Sequence, residues 1–207
     1  PNATGYKMFV TRGVKHLKFW HEGGGNGGPA YTATLAKFAP KAQVADVFSA
    51  AFIDADTLVT GSESGELLTW DATGKRGRLG CCIRVVKAHG PGKGFVDPES
   101  RLRYHGVRCL KVRRGGTELL SAGADGRVVK WDITRGKLGG QLGVVEVKPP
   151  GQKDPVAFRA LDSFPGSEVF MAGTSHCDIW EVDADPEVLI YGHTADLYGC
   201  CFHPNKP

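Results

Sequence analysis

The chain has 207 residues, 41% of them hydrophobic and 23% charged, which is enough apolar material for one ordinary packed unit. Its net charge of +4 is mildly basic, its positive residues are scattered, and pairs such as Arg113-Arg114 and Lys75-Arg76 sit among glycines as solvated turn residues do, so no nucleic-acid stripe is indicated. No run approaches the roughly 18 apolar residues of a membrane helix, and the first residues lack the basic start and apolar stretch of a signal peptide.

Glycine is the outlier, with 29 residues, and together with 12 prolines it announces many turns and short elements. The six cysteines, at 81, 82, 109, 177, 200 and 201, match no disulfide framework and no zinc spacing. They read as small buried hydrophobes in a reducing cytosol.

In chain order, residues 8–13 (MFVTRG) form an apolar run that leads into 14–20 (VKHLKFW). Next come 48–53 (FSAAFI), 57–63 (TLVTGSE), 65–71 (GELLTWD) and 84–89 (RVVKAH), each bounded by Gly, Asp, Ser or Pro as strands are. The same pattern returns at 118–123 (ELLSAG) with 126–131 (GRVVKW), and at 168–173 (EVFMAG) with 175–180 (SHCDIW). A last apolar run spans 197–202. The turns at Glu63-Ser64-Gly65 and Asp125-Gly126 suit hairpins that need positive φ. Helical periodicity is absent.

The phrases ending in Trp20, Trp70, Trp131 and Trp180 are therefore copies of one unit of four short strands. Four antiparallel strands per unit at this period predict an all-β propeller, each small sheet being one blade. A β-sandwich has no reason to repeat a tryptophan phrase. The expected units are 8–38, 46–89, 106–148 and 157–193, with the first strand of a further unit at 197–203. That makes about four blades, part of a larger propeller, and the remainder of the same chain is expected to close the ring.

Here the residues resemble the WD repeats, in which Gly-His or Ala-His opens a unit and Trp-Asp closes its third strand. The unit with Ala88-His89, Ser121, Asp125 and Trp131-Asp132 fits best. The resemblance implies that His89, Ser121, Asp125 and Trp131 form a buried chain of hydrogen bonds, and the donor and acceptor inventory of these side chains permits it. The other units are degraded: the second has Thr60 and Trp70-Asp71 but Ser64 in place of the turn aspartate, and the fourth has Trp180-Glu181. Residues 9–20 (FVTRGVKHLKFW) and 191–204 (YGHTADLYGCCFHP) are similar to the echinoderm microtubule-associated protein-like family. The glycine run 23–28 and the insertion 90–104 depart from it. That resemblance implies a cytoplasmic, cytoskeletal location, extending to the cilium or axoneme, and tubulin or microtubules as partner.

No catalytic constellation is present, so no enzyme, cofactor or metal site is expected within these residues. The glycines of 23–28 precede no helix that could cradle phosphate, and 90–94 (GPGKG) lacks a P-loop's spacing. Cys201 and His203 share a strand face from which Cys200 points away, leaving two ligands at most. His176-Cys177 sits in a turn and is not read as a nucleophile–base pair, and Asp183 and Asp185 adjoin Pro186 in a loop.

What remains is recognition of other proteins by loops on a rigid platform, with neither nucleic acid nor membrane as partner. Polar residues in turns between second and third strands are the candidate contacts: Arg12, Lys15, His16, Glu63, Arg127 and His176. Arg101, Arg103 and Tyr104 of the insertion join them. Two alternatives stand beside a tubulin-associated scaffold, a general WD-repeat adaptor of a non-cytoskeletal complex and a structural axonemal microtubule protein.

Overall fold

A computed structural model describes residues 8–23, 30–40, 42, 44–90, 106–148, 156–164, 166–182 and 185–192. The chain is all-β, and among the described residues the one helical element is a 3-10 turn at Arg114–Gly116. The first sheet holds three strands, β1 (Met8–Gly13), β2 (His16–Glu22) and β3 (Tyr31–Leu35). Three four-stranded antiparallel sheets follow in sequence order. They are β4 (Val47–Phe52), β5 (Thr57–Ser62), β6 (Glu66–Asp71) and β7 (Cys82–Lys87); β8 (Val107–Arg113), β9 (Glu118–Gly123), β10 (Arg127–Thr134) and β11 (Lys137–Glu146); and β12 (Phe158–Asp162), β13 (Phe170–Thr174), β14 (Ile179–Val182) and β15 (Glu187–Ile190). Strands β4, β8 and β12 lie next to one another, and β1 lies against β4. These are the blades of a propeller seen from its axis outward, and the sheets do not close into a ring.

Each interface between sheets has its own apolar core. Leu17 and Phe19 of the first sheet meet Leu58, Leu68 and Trp70 of the second. Val59 and Leu67, on the other face of the second sheet, meet Val107, Leu119, Val129 and Trp131 of the third. Leu120, Ala122 and Val128 of the third meet Phe158, Phe170, Trp180 and Val182 of the fourth. Because both faces of a middle sheet are covered, every residue of β5 and of β9 is buried. Their unbroken apolar character, where a half-exposed strand would alternate, follows from this.

Cross-strand pairing revises the repeat at one point. Trp70 lies opposite Leu58, Trp131 opposite Leu119 and Val182 opposite Phe170, each pair being twelve residues apart. Val182, not Trp180, thus holds the closing tryptophan's place in the fourth sheet. Trp180 sits two residues earlier on the same face, opposite Ala172. Elsewhere the indole finds a hydroxyl: Trp20 Nε1 donates to Thr11 Oγ1 at 2.9 Å, Trp70 to Thr60 at 2.8 Å and Trp131 to Ser121 at 2.9 Å. Ala172 occupies the matching position in the fourth sheet, and the buried Trp180 Nε1 has no hydrogen-bond partner among the described residues.

An unmade bond has nothing to lose, so the two tryptophans should respond differently to phenylalanine. Trp131→Phe removes the indole donor from the buried Ser121 oxygen, which keeps its contact with His89, and should cost about 2 kcal/mol, with Trp180→Phe at least about 1 kcal/mol cheaper. Urea midpoints of the two variants read the difference, and equal losses would refute it.

A second revision concerns Arg113. The expectation of a solvated turn pair fails there: its side chain is buried and ion-paired with Glu118, because Arg113 is the last residue of β8, just before the 3-10 turn, and reaches into the seam with the fourth sheet.

Candidate interaction face

Residues 88–90 after β7, Gly106 before β8 and the hairpin turns between second and third strands share one end of the blades. Gly65, at φ +82°, turns the β5–β6 hairpin, and its carbonyl accepts from the N–H groups of Ala88 and His89 at 3.0 and 2.9 Å. That contact brings His89, only 1% exposed, into the third sheet. His89 Nδ1 lies 2.9 Å from Asp125 Oδ1, and its Nε2 lies 2.9 Å from Ser121 Oγ. Ser121 Oγ also accepts from the Trp131 indole, and an arrangement in which Ser121 donates to Nε2 while Nδ1–H donates to the Asp125 carboxylate gives each of these contacts a donor and an acceptor. Asp125 Oδ1 also accepts from Arg127 N at 3.2 Å, which ties the turn to the chain.

These four residues are interior. They fix the geometry of the face and offer no reacting atom to solvent. The polar candidates divide otherwise. Glu63, Arg127 and His176 are exposed at or beside their turns. Lys15 is exposed at φ +52°, its N–H bound to Asp46 Oδ1 at 3.0 Å. His16 is the first residue of β2, with Nδ1 3.3 Å from Val14 O. Arg12 belongs to β1 and not to a turn: it pairs opposite Leu17, and its Nη1 donates to Val47 O at 3.1 Å across to the second sheet. Arg101, Arg103 and Tyr104 lie outside the described residues, as do Cys200, Cys201, His203 and Asp183.

Three residues that sequence reasoning did not single out share this end. The inner strands each carry a register shift near their start, between Val47 and Ser49, Val107 and Cys109, and Phe158 and Ala160. Phe48, Arg108 and Arg159 are the residues at these bulges. With Arg12 they line a cavity of about 480 Å³.

No three His, Cys, Asp or Glu residues among those described could hold a metal ion. Burial pushes the Cys109 thiol up to about 11, against the opposing pull of the Arg108 and Arg12 charges, so it stays protonated and inert at neutral pH. Cys177 is exposed, at φ +63° in the β13–β14 turn, and no base bonds to its sulfur among the described residues.

Comparison with known proteins agrees with the architecture. Residues 97–132 match the family described as WD domain, G-beta repeat. The propeller domain of Cps50 (Swd1) from Myceliophteria thermophila superposes with a TM-score of 0.62, covering 91% of this chain and 56% of that one at 12% identity. Raptor of Chaetomium thermophilum gives 0.61, covering 93% and 15% at 21% identity. The fold is therefore that of part of a β-propeller, with a WD-repeat match over residues 97–132.

Within that class it is similar to the echinoderm microtubule-associated protein-like proteins. It is 26% identical over 207 residues to the mouse protein 3, which spans 95% of this chain and 21% of that one. It is 26% identical over 206 residues to rat protein 2, covering 99% and 27%. The mouse cilia- and flagella-associated protein 44 is 23% identical over 218 residues, covering 98% and 11%. The chain thus spans about a quarter or less of the length of these relatives.

Proposed function

We propose that the chain is a non-catalytic scaffold that associates with tubulin or microtubules in the cytoplasm. The observation that carries this reading is the similarity, along almost the whole chain, to proteins named for microtubule association. The architecture supports it. Rigid blades with buried middle strands hold an end whose exposed residues include Lys15, Glu63, Arg127 and His176. Side chains of this kind, together with Arg12 and His16, are the contacts we assign to a protein partner. A mildly basic chain suits an acidic partner such as tubulin, and scattered charge gives no track for nucleic acid. No helix among the described residues is long and apolar enough to cross a membrane.

Co-sedimentation of the full chain with polymerised microtubules, beside soluble tubulin and across a salt series, tests the proposal. We expect pelleting that weakens with salt and falls at least threefold when Lys15 and Arg127 are both changed to Gln. No association with either tubulin form would overturn it and leave a general adaptor. The similarity to a cilia- and flagella-associated protein favours a second reading, a structural component of the axoneme. Retention in purified cilia through high-salt washes would select it.

A further inference from the structure

The seams between sheets all join the same two kinds of face. On one side stand a residue of the second strand and one of the third: Val10 and Leu17, then Val59 and Leu67, then Leu120 and Val128. On the other side stands the face of the closing residue, with Leu58, Leu68 and Trp70 in the second sheet and Leu119, Val129 and Trp131 in the third. The strand register carries both patterns to the ends of the row. In the first sheet Phe9 and Trp20 match Leu58 and Trp70, being paired opposite one another in the same way. In the fourth sheet Met171 and Ile179 match Val59 and Leu67, and Ile190 lies opposite Ile179.

Both end faces therefore have the make-up of a seam, although no described sheet packs on either. Phe9 stacks on Trp20 at 5.7 Å between ring centroids and meets Tyr31 edge-on at 5.1 Å. The Trp20 indole is bonded to Thr11 just as Trp70 is to Thr60. Yet Phe9 and Ile190 are exposed, and Trp20, Met171 and Ile179 are only half-buried. The faces also differ in charge. Lys18 stands where the second and third sheets have Leu68 and Val129. Glu181 stands where they have Thr69 and Lys130, with Glu187 opposite it.

We propose that two copies of this chain associate head to tail, the first-sheet face of each seated on the fourth-sheet face of the other. One face is of the closing-residue kind and carries a lysine, and the other is its complement and carries glutamates. A second copy answers both at once. Contacts between unlike faces either close into a ring or run on as a filament. Each copy brings four sheets, and closed propellers have about four to eight blades, so two copies complete a ring. Closure covers apolar sheet faces that a lone copy leaves in water. The pairing is independent of whether tubulin is the partner.

Sedimentation velocity of the full chain over a concentration series tests it. The expected result is a dimer whose dissociation constant rises at least about tenfold with Lys18→Glu and with Glu181→Lys, because each sets like charges against each other. The two changes combined should return to within about threefold of the native chain. Leu142→Glu, exposed on β11 away from both faces, should stay within about twofold. Should either charge variant lose its β spectrum by circular dichroism, Met171→Glu replaces it at the same tenfold threshold. A monomer throughout would overturn the proposal and leave both faces to other blades. Chains that grow beyond two copies, a dimer insensitive to the charge variants, or no recovery in the combined variant would also overturn it. An equal loss with Leu142→Glu would do the same.

Discussion

Glu118→Ala should destabilise the chain by about 3–5 kcal/mol, the cost of leaving a buried charge without its partner. The side chains of Arg113 and Glu118 are each 3% exposed and meet through two contacts, Nε to Oε2 at 3.2 Å and Nη2 to Oε1 at 3.3 Å. Arg113 Nη1 extends the network to Glu168 O at 2.7 Å, and its guanidinium lies 5.5 Å from the Phe170 ring. One arginine therefore fastens the end of β8, the start of β9 and the fourth sheet. Removing the carboxylate leaves the guanidinium in this apolar seam, with only carbonyls and a ring for company. Arg114, whose Nε lies 2.9 Å from Glu118 Oε2, is half-exposed, so its share in the network is small.

The comparison that separates charge from packing is the double replacement Arg113→Met with Glu118→Leu. It removes both desolvated ions and should recover most of the loss. Urea unfolding of the three proteins measures this. A single-mutant loss under about 1 kcal/mol would mean that water reaches the pair.

The two arginines show where reading the sequence stops. Side by side among glycines they have the same local signature, yet one is buried and one exposed, because burial is set by a neighbouring sheet that lies more than fifty residues away in the chain. Trp180 fails for a related reason. A tryptophan two residues early in a strand keeps the same face and the same burial, so the phrase still looks complete. Only pairing with β13 reveals that Val182 holds the closing position. The bulges at Phe48, Arg108 and Arg159 were equally hidden, since one extra residue leaves no mark in an apolar run. Arg108 inside VRCLKV was the one available signal, a cation on a strand whose neighbours are core.

What could be read had local causes. The repeating strands were visible because middle sheets are buried on both faces. The hairpin turns were visible because Gly65 and Gly126 occupy positive φ, at +82° and +74°. The hydrogen-bonded chain could be written down in advance because the resemblance to the WD repeats picks out its four members, whose donors and acceptors are complementary.

That chain carries the other large effect. His89→Ala should cost about 4 kcal/mol, the sum of a cavity in a closed site and a carboxylate deprived of its donor. The imidazole has 0% side-chain exposure and Asp125 6%, so neither water nor rearrangement restores the lost bond readily. Asp125→Asn makes the discriminating control. Among the described residues Oδ2 of Asp125 has no hydrogen-bond partner, whereas Oδ1 accepts from both His89 and Arg127. An amide can keep the accepting oxygen in place, at a cost of about 1 kcal/mol for the N–H groups it puts at the unpartnered position. Asp125→Ala removes the acceptor and should cost about 2–3 kcal/mol. If the residues act as one network, the double mutant His89→Ala with Asp125→Ala will cost at least about 1 kcal/mol less than the two single losses added together. Strict additivity would mean that His89 stabilises the face by filling space, and that the blade end is held by Gly65 and its carbonyl instead.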